Sequence, residues 1–189
     1  MGKKRIAILA SGSGTNAENI FKYFSDKEDV VVDSLWSNKA DAYALARARN
    51  FGVECFVFDR EKFYKSNDVA DTLRERKVDL IVLAGFLWLI PENLISSFPI
   101  VNIHPALLPR YGGKGMYGMN VHRAVVDNGE TESGISIHYV NENYDEGKLI
   151  FQAKCEVSPR DTPERVAEKV HELEYRHFPQ VIAKVLAEM

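Results

Sequence analysis

An apolar segment that runs into glycines and re-emerges as a helix is what most restricts the fold of this chain. Arg5–Ala10 lacks the polar alternation of a half-exposed strand, so it reads as a strand covered on both faces. It stops at Ser11-Gly12-Ser13-Gly14, and a helical period follows from Thr15 to about Phe24. The alternation repeats downstream. Strands are expected at Val30–Trp36, Val53–Phe58, Asp79–Ala84 and Ile100–His104, and helices at Asp41–Asn50, Asn67–Lys77, from Pro91 and at Asn120–Asn128. From Gly134 the pattern changes. Ile135–Val140 alternates with period two and Leu149–Val157 stays extended, which reads as an adjacent antiparallel pair. Thr162 caps a long amphipathic helix to about Met189, which Pro179 should break or kink. The expected fold is α/β: a Rossmann-like, open, mostly parallel sheet with helices on both faces and an antiparallel C-terminal strand pair. Residues 1–189 are expected to form a single domain.

Composition narrows the function. The chain has 189 residues with 24 basic and 27 acidic side chains, a net charge of −3. Apolar residues at 46% and charged ones at 27% exclude a largely disordered chain. The slight acidity argues against sequence-independent nucleic-acid binding, because the only basic run is Lys3-Lys4-Arg5. Two cysteines make no disulfide framework, and Cys155 has no Cys or His nearby at metal-ligand spacing, which suits a reduced cytosolic setting. The longest apolar run, Leu80–Ile90, falls short of the roughly 20 residues of a membrane helix. The N-terminus does not read as a signal peptide, since Ala10-Ser11-Gly12 cuts the apolar run short. A cytoplasmic protein without membrane or nucleic-acid partners is expected.

Three segments carry chemistry. The spacing Gly12-x-Gly14-x-x-Ala17 satisfies a relaxed dinucleotide pattern, but such a site also wants an acid at the end of the second strand. That end reads Trp36-Ser37-Asn38-Lys39, and Asp33 lies inside the strand. A simple phosphate on the loop amides is therefore preferred, helped by Ser13, Thr15 and Asn16; a tight turn with no ligand is the other reading. In Val101-Asn102-Ile103-His104-Pro105, Asn102 and His104 point the same way because strand side chains repeat with period two. An amide and an imidazole on one face can hold and protonate a developing oxyanion, or can simply satisfy buried backbone groups. Asp145, in Tyr144-Asp145-Glu146-Gly147, is either a turn residue or a partner that raises the His104 pKa and keeps the ring cationic near neutral pH.

Taken together these segments resemble the glycinamide ribonucleotide formyltransferase family over nearly the whole chain. The shared marks are Ser11–Asn16, Ser37-Asn38-Lys39-Ala40-Asp41-Ala42, Leu83-Ala84-Gly85-Phe86, Asn102-Ile103-His104-Pro105-Ala106-Leu107-Leu108-Pro109, Gly134–Val140 and Asp145-Glu146-Gly147. The resemblance implies a reaction of de novo purine biosynthesis, in which the amine of glycinamide ribonucleotide attacks the formyl carbon of 10-formyltetrahydrofolate directly. Asn102, His104 and Asp145 would be the catalytic set. Asn102 would hydrogen-bond the formyl oxygen and protonated His104 would stabilise the oxyanion. Asp145 would keep His104 charged and help place a water that moves the proton from attacking to leaving nitrogen. The ribonucleotide would lie on Ser13, Gly14, Thr15 and Asn16, with Glu174 on its ribose. The folate would sit against Leu87, Trp88, Leu89 and Ile90, with Asn102, Asn141 and Asp145 contributing. Ser136 and His138, on one strand face, would support the water. The resemblance implies 10-formyltetrahydrofolate as co-substrate, chemistry that needs no metal, and small-molecule partners, for a monomer or homodimer.

The chain departs from the family pattern in places. The stretch Tyr111–Val121, with Gly112–Met119 inside it, is longer and richer in glycine than the usual segment there, which suggests a lid or an altered reach to the substrate phosphate, and Lys114 within it is a candidate phosphate contact. Trp88 stands where a basic or smaller residue is common. The basic residue for the folate tail does not align cleanly, with Lys65 the candidate. Two other readings stay open: a formyltetrahydrofolate hydrolase, which usually carries an N-terminal regulatory domain that this chain is not expected to have, and a non-catalytic folate- or nucleotide-binding module.

Overall fold

The computed structural model describes residues 2–189, which divide into two compact units, 2–101 and Asn102–Met189. In the first unit β1 (Lys4–Leu9) pairs in parallel with β2 (Val30–Ser37) and β4 (Leu80–Leu83), and β2 pairs in parallel with β3 (Glu54–Val57). The unbroken apolar run of β1 has the expected cause: Ile6, Ala7, Ile8 and Leu9 have no exposed surface. Helices connect these strands. In α1 (Thr15–Phe24), Ala17, Ile20, Phe21 and Phe24 recur at helical spacing and are buried. In α2 (Tyr43–Asn50) the buried face is Ala44, Leu45 and Ala48. The sequence reading has no counterpart for α3 (Arg60–Tyr64), which is too short to show a period. Its start is set by Asp59, whose carboxylate accepts from the Lys62 amide at 2.9 Å. After α4 (Asp68–Glu75) and β4 comes α5 (Glu92–Ile95).

Asp33, which could not serve a ribose from inside β2, is committed elsewhere. Its side chain is buried and ion-paired to Arg5 and Arg76, with Arg76 Nε 2.6 Å away. Burial pushes its carboxyl up, but hydrogen bonds from Arg76 and Ser34 outweigh that and hold it below the usual range.

β5 (Ile100–His104) leads into the second unit, which holds α6 (Met119–Asp127), β6 (Glu132–Tyr139), β7 (Leu149–Glu156) and α7 (Pro163–Ala187). β6 and β7 are antiparallel, as expected, with Ser136 opposite Gln152. Their register slips between Ile137 and His138, a bulge that re-aims the end of β6. Thr162 caps α7 by accepting from the Arg165 amide at 3.2 Å. Of the two expected effects of Pro179, the break does not occur: α7 continues through it to Ala187. An interior proline costs about 3 kcal/mol. Here Pro179 is itself buried, among Val170, Phe178, Ile182 and Val185, and burying such side chains contributes about 1.5–3 kcal/mol each. Among the described residues no helix is long and apolar enough to cross a membrane.

Candidate active site

Asn102 and His104 project from β5 with one residue between them, and Ser136 and His138 from β6 likewise. Asp145 lies in the loop after β6. All five belong to the second unit, where Asn102, His138, Asp145 and His104 stand in a chain of neighbours and Ser136 lies apart from them. His104 is 3% exposed. Its Nε2–H donates to the Tyr111 carbonyl at 2.7 Å, and its Nδ1 lies 3.5 Å from Asp145 Oδ2. The other Asp145 oxygen, Oδ1, is 3.7 Å from His138 Nε2. His138 Nδ1 donates to the Tyr139 carbonyl at 2.9 Å, so Nε2 accepts from the Asn102 amide at 3.1 Å. Asp145 thus stands between two imidazoles, and His138 links it to Asn102.

The backbone is bent to achieve this. Asp145 and Tyr111 adopt φ of 59° and 56°, a left-handed region that side chains other than glycine rarely occupy. Strained residues of this kind cluster at functional sites. Tyr111 is held from its far end, where the phenol donates to Glu130 at 2.6 Å. The Gly113 amide donates to Asp145 Oδ2 at 2.9 Å. Gly112 packs closely here: a Cβ would meet Leu108 Cδ2 at 2.6 Å and Asp145 Cβ at 3.3 Å, so Leu108 would have to move. The glycine-rich stretch therefore reaches both His104, through Tyr111, and Asp145, through Gly113. Lys114 beside it is exposed.

Electrostatics corrects one expectation. Burial pushes the His104 pKa down from its ordinary value, and Asp145 and the Tyr111 carbonyl oppose this without overcoming it. The ring is not held cationic by Asp145 alone. For Asp145, burial pushes upward, but the neighbouring His138 and His104 imidazoles and the Gly113 amide prevail and hold the carboxyl below the usual range.

Ser136 plays a different part from the one expected. It has no exposed surface, and its hydroxyl donates to the Ala106 carbonyl at 2.7 Å and accepts from the Leu108 amide at 2.9 Å, so it holds the turn after His104 rather than facing water. In that turn the Leu108–Pro109 peptide is cis. Beside Asp145 lies a cavity of about 470 Å³ walled by Leu108, Pro109, Tyr144 and Leu149, a size typical of small-molecule sites. Asn141, at the start of the loop, accepts the Asn143 amide at 3.0 Å. Glu174 on α7 is 6% exposed, so it is not the solvated helix residue that a lone Glu usually is. His122, for which no role is expected from sequence, is 2% exposed beside His171, and its Nδ1 has no hydrogen-bond partner among the described residues.

The glycine loop and Leu87–Ile90 belong to the first unit. Gly14 caps α1 with φ 75° and, being a glycine, brings no side chain of its own to that end. A Cβ on Gly14 would meet Ala44 Cα and Cβ at 2.5 Å. Ser13 is exposed, and Thr15 and Asn16 are half-buried. Ser11 ties three of the motif segments together physically: its hydroxyl donates to Asn38 Oδ1 at 2.7 Å and accepts from the Leu87 amide at 3.1 Å. Leu87 is exposed, Trp88 and Leu89 are half-buried and Ile90 is buried.

Sequence reasoning missed Arg60, whose guanidinium lies 5.0 Å from the centre of the Trp88 ring. Tyr64 shares this cluster, donating to the Leu89 carbonyl at 2.9 Å. The only sequence signal was a basic residue following Asp59, at a site where no helix was expected. Lys65, the sequence candidate for a folate-tail cation, is exposed at the end of α3. Among the described residues no three His, Cys, Asp or Glu side chains are grouped to hold a metal.

Comparison with known proteins is consistent across sequence and structure. A formyl transferase family model matches residues 4–182. The chain is 40% identical, over 98% of its length, to the chloroplastic phosphoribosylglycinamide formyltransferase of Arabidopsis thaliana, of which it spans 66%. It is 37% identical to the Haemophilus influenzae phosphoribosylglycinamide formyltransferase, with 95% of this chain and 85% of that one covered. The crystal structure of glycinamide ribonucleotide transformylase 1 from Symbiobacterium toebii superposes with a TM-score of 0.86 at 34% identity, covering 95% of this chain and 86% of that one.

Proposed function

The chain belongs to the formyl transferase family, and from that footing we propose that it transfers a formyl group from 10-formyltetrahydrofolate to the amine of glycinamide ribonucleotide, a step of de novo purine biosynthesis. The observation that carries the proposal is the cluster of Asn102, His104 and Asp145 in one unit, in which Asp145 also lines a cavity of small-molecule size. An apolar-walled recess with a carboxylate at its rim suits a flat heterocycle carrying N–H donors. The folate supplies the formyl carbon. The residues of this chain position it and stabilise charge.

Asn102 spends one amide proton on His138 and has the second for the formyl oxygen. His104 brings its Nε2 proton to the same oxygen as negative charge develops there. In the free protein that proton belongs to the Tyr111 carbonyl, so the carbonyl has to yield, and Gly112 and Gly113 give that segment room to do so. Asp145 favours the cationic form of His104 against burial. His138 positions both Asn102 and Asp145. The α1 amides at Gly14, Thr15 and Asn16 receive the phosphate, with Ser13 beside them, and Glu174 takes the ribose hydroxyls. Leu87–Ile90 and Asn141 contribute to the folate site, and Arg60 beside Trp88 supplies the cation for the folate tail. The reading includes a single catalytic domain over residues 1–189, small molecules as partners, a cytoplasmic setting, and a monomer or homodimer.

A formyl-transfer assay tests it. Release of tetrahydrofolate that depends on the ribonucleotide, and is lost in His104→Ala, is the expected result. Release without the ribonucleotide would mark a hydrolase. Binding of both ligands without any release would mark a non-catalytic module.

A further inference from the structure

We propose that Gln152 is a positioning residue for His104, acting through Ser136 and the turn that joins His104 to Tyr111; this rests on the catalytic role given to His104 above. Gln152 and Ser136 are opposite residues of the β6–β7 ladder. Gln152 Nε2 lies 3.1 Å from the Leu108 carbonyl and 2.8 Å from Ser136 Oγ. A carbonyl oxygen only accepts, so the end of the amide that faces it is the NH2 group. Both protons of that group are then spent, one on Leu108 and one on Ser136.

That assignment fixes the rest. Ser136 Oγ accepts from Gln152 and from the Leu108 amide at 2.9 Å, which uses both lone pairs, and its own proton goes to the Ala106 carbonyl at 2.7 Å. No donor or acceptor of the hydroxyl is left over, and no second arrangement satisfies the same partners. The main chain of the turn is gripped at three points: the Ala106 carbonyl, the Leu108 amide and the Leu108 carbonyl. Gly134, on the same strand face as Ser136, leaves space for the turn, since a Cβ there would meet Leu107 Cδ2 at 2.8 Å. One end of the turn is His104. The other is Tyr111, whose carbonyl holds His104 Nε2. Neither Ser136 nor Gln152 contacts the reacting groups, so their influence passes through main-chain placement, where an error of about 1 Å is enough to cost about a hundredfold in rate.

Gln152→Leu tests this, because it keeps the volume and removes both donors; Gln152→Met is the companion should the first variant fold poorly. The first readout is the NMR titration of the His104 ring in the full-length free protein, which needs no turnover. The groups facing that ring are Asp145, His138 and His122, together with the Tyr111 carbonyl, and none of them is altered by the substitution. The His104 titration is expected to move by about half a unit or more while the circular dichroism spectrum stays that of wild type. The second readout is steady-state formyl transfer, where kcat is expected to fall about 10- to 100-fold with KM for both substrates within about threefold. A His104 titration and kcat unchanged in well-folded Gln152→Leu or Gln152→Met would overturn the proposal. Wild-type protein that shows no transfer would overturn the catalytic reading instead, and the NMR titration would still decide whether Gln152 positions His104.

Discussion

His104 and Asp145 face each other at 3.5 Å, Nδ1 to Oδ2, and yet the imidazole is held below its ordinary pKa. A carboxylate at that distance normally raises a histidine. Here the ring has almost no exposed surface, and removing water from a cation costs more than Asp145 returns. The pair is therefore matched so that the cation is accessible without being the resting form.

The pH profile follows from that balance. The reactive form carries the extra proton, so kcat/KM, which reports the free protein, is expected to fall as pH rises, with its inflection below the ordinary value of 6.5. Asp145→Asn removes the charge that opposes burial, so its inflection should lie lower still and its rate near neutral pH should drop further. A wild-type inflection above 6.5 would contradict the dominance of burial.

His122 should make the protein acid-sensitive. Burial, assisted by His171 and His104, lowers its pKa to about 4, whereas the unfolded chain titrates near 6.5. The folded state favours the neutral ring, so this contribution is fully present above 6.5 and is lost as pH falls towards 4. The shift corresponds to about 2 to 3 kcal/mol. Urea denaturation at pH 7.5 and at pH 4.5 is expected to show that much extra loss in wild type over His122→Gln.

Gly14 should be irreplaceable for folding and Gly12 should not. An alanine at Gly14 combines a left-handed backbone with a Cβ driven into Ala44, and we expect a cost of about 2 to 4 kcal/mol. A Cβ added to Gly12 would have nothing within 4 Å, so Gly12→Ala should change stability by about 0.5 kcal/mol or less. Denaturant midpoints for the two variants check the contrast. KM for the ribonucleotide in Gly12→Ala then reports on the phosphate loop in a folded protein.

Arg60 and Lys65 should separate in the same way. Arg60→Ala is expected to raise KM for the folate about fivefold, in keeping with loss of a charge held over an aromatic ring, and to leave KM for the ribonucleotide alone. Lys65→Ala should do neither. Equal effects of the two substitutions would remove the assignment of Arg60.

Much of this was legible because the signals are local. The buried run of β1, the αL glycine that opens α1, and the shared face of Asn102 and His104 depend on periods of two and 3.6 residues and on glycine's freedom at positive φ. The antiparallel pairing of β6 and β7 was legible in the change of pattern after Gly134, but its register was not. Helix α3 was missed because its five residues are too few for a period, and Arg60 was missed with it. That the helix runs on past Pro179 was not legible, because propensity counts the lost hydrogen bond and not the burial of the helix around it.

The sequence by itself determined the fold class, the family motifs and the identity of Asn102, His104 and Asp145 as the residues to watch. Tertiary structure alone decided that Asp145 lies between His104 and His138, that the Tyr111 carbonyl holds the His104 proton, that Ser136 is spent on the turn, and that burial lowers the His104 pKa. The reason is physical. Backbone periodicity is set by neighbours along the chain, whereas desolvation and hydrogen-bond partners are set by whatever the fold packs against a group, and segments far apart in sequence supply them.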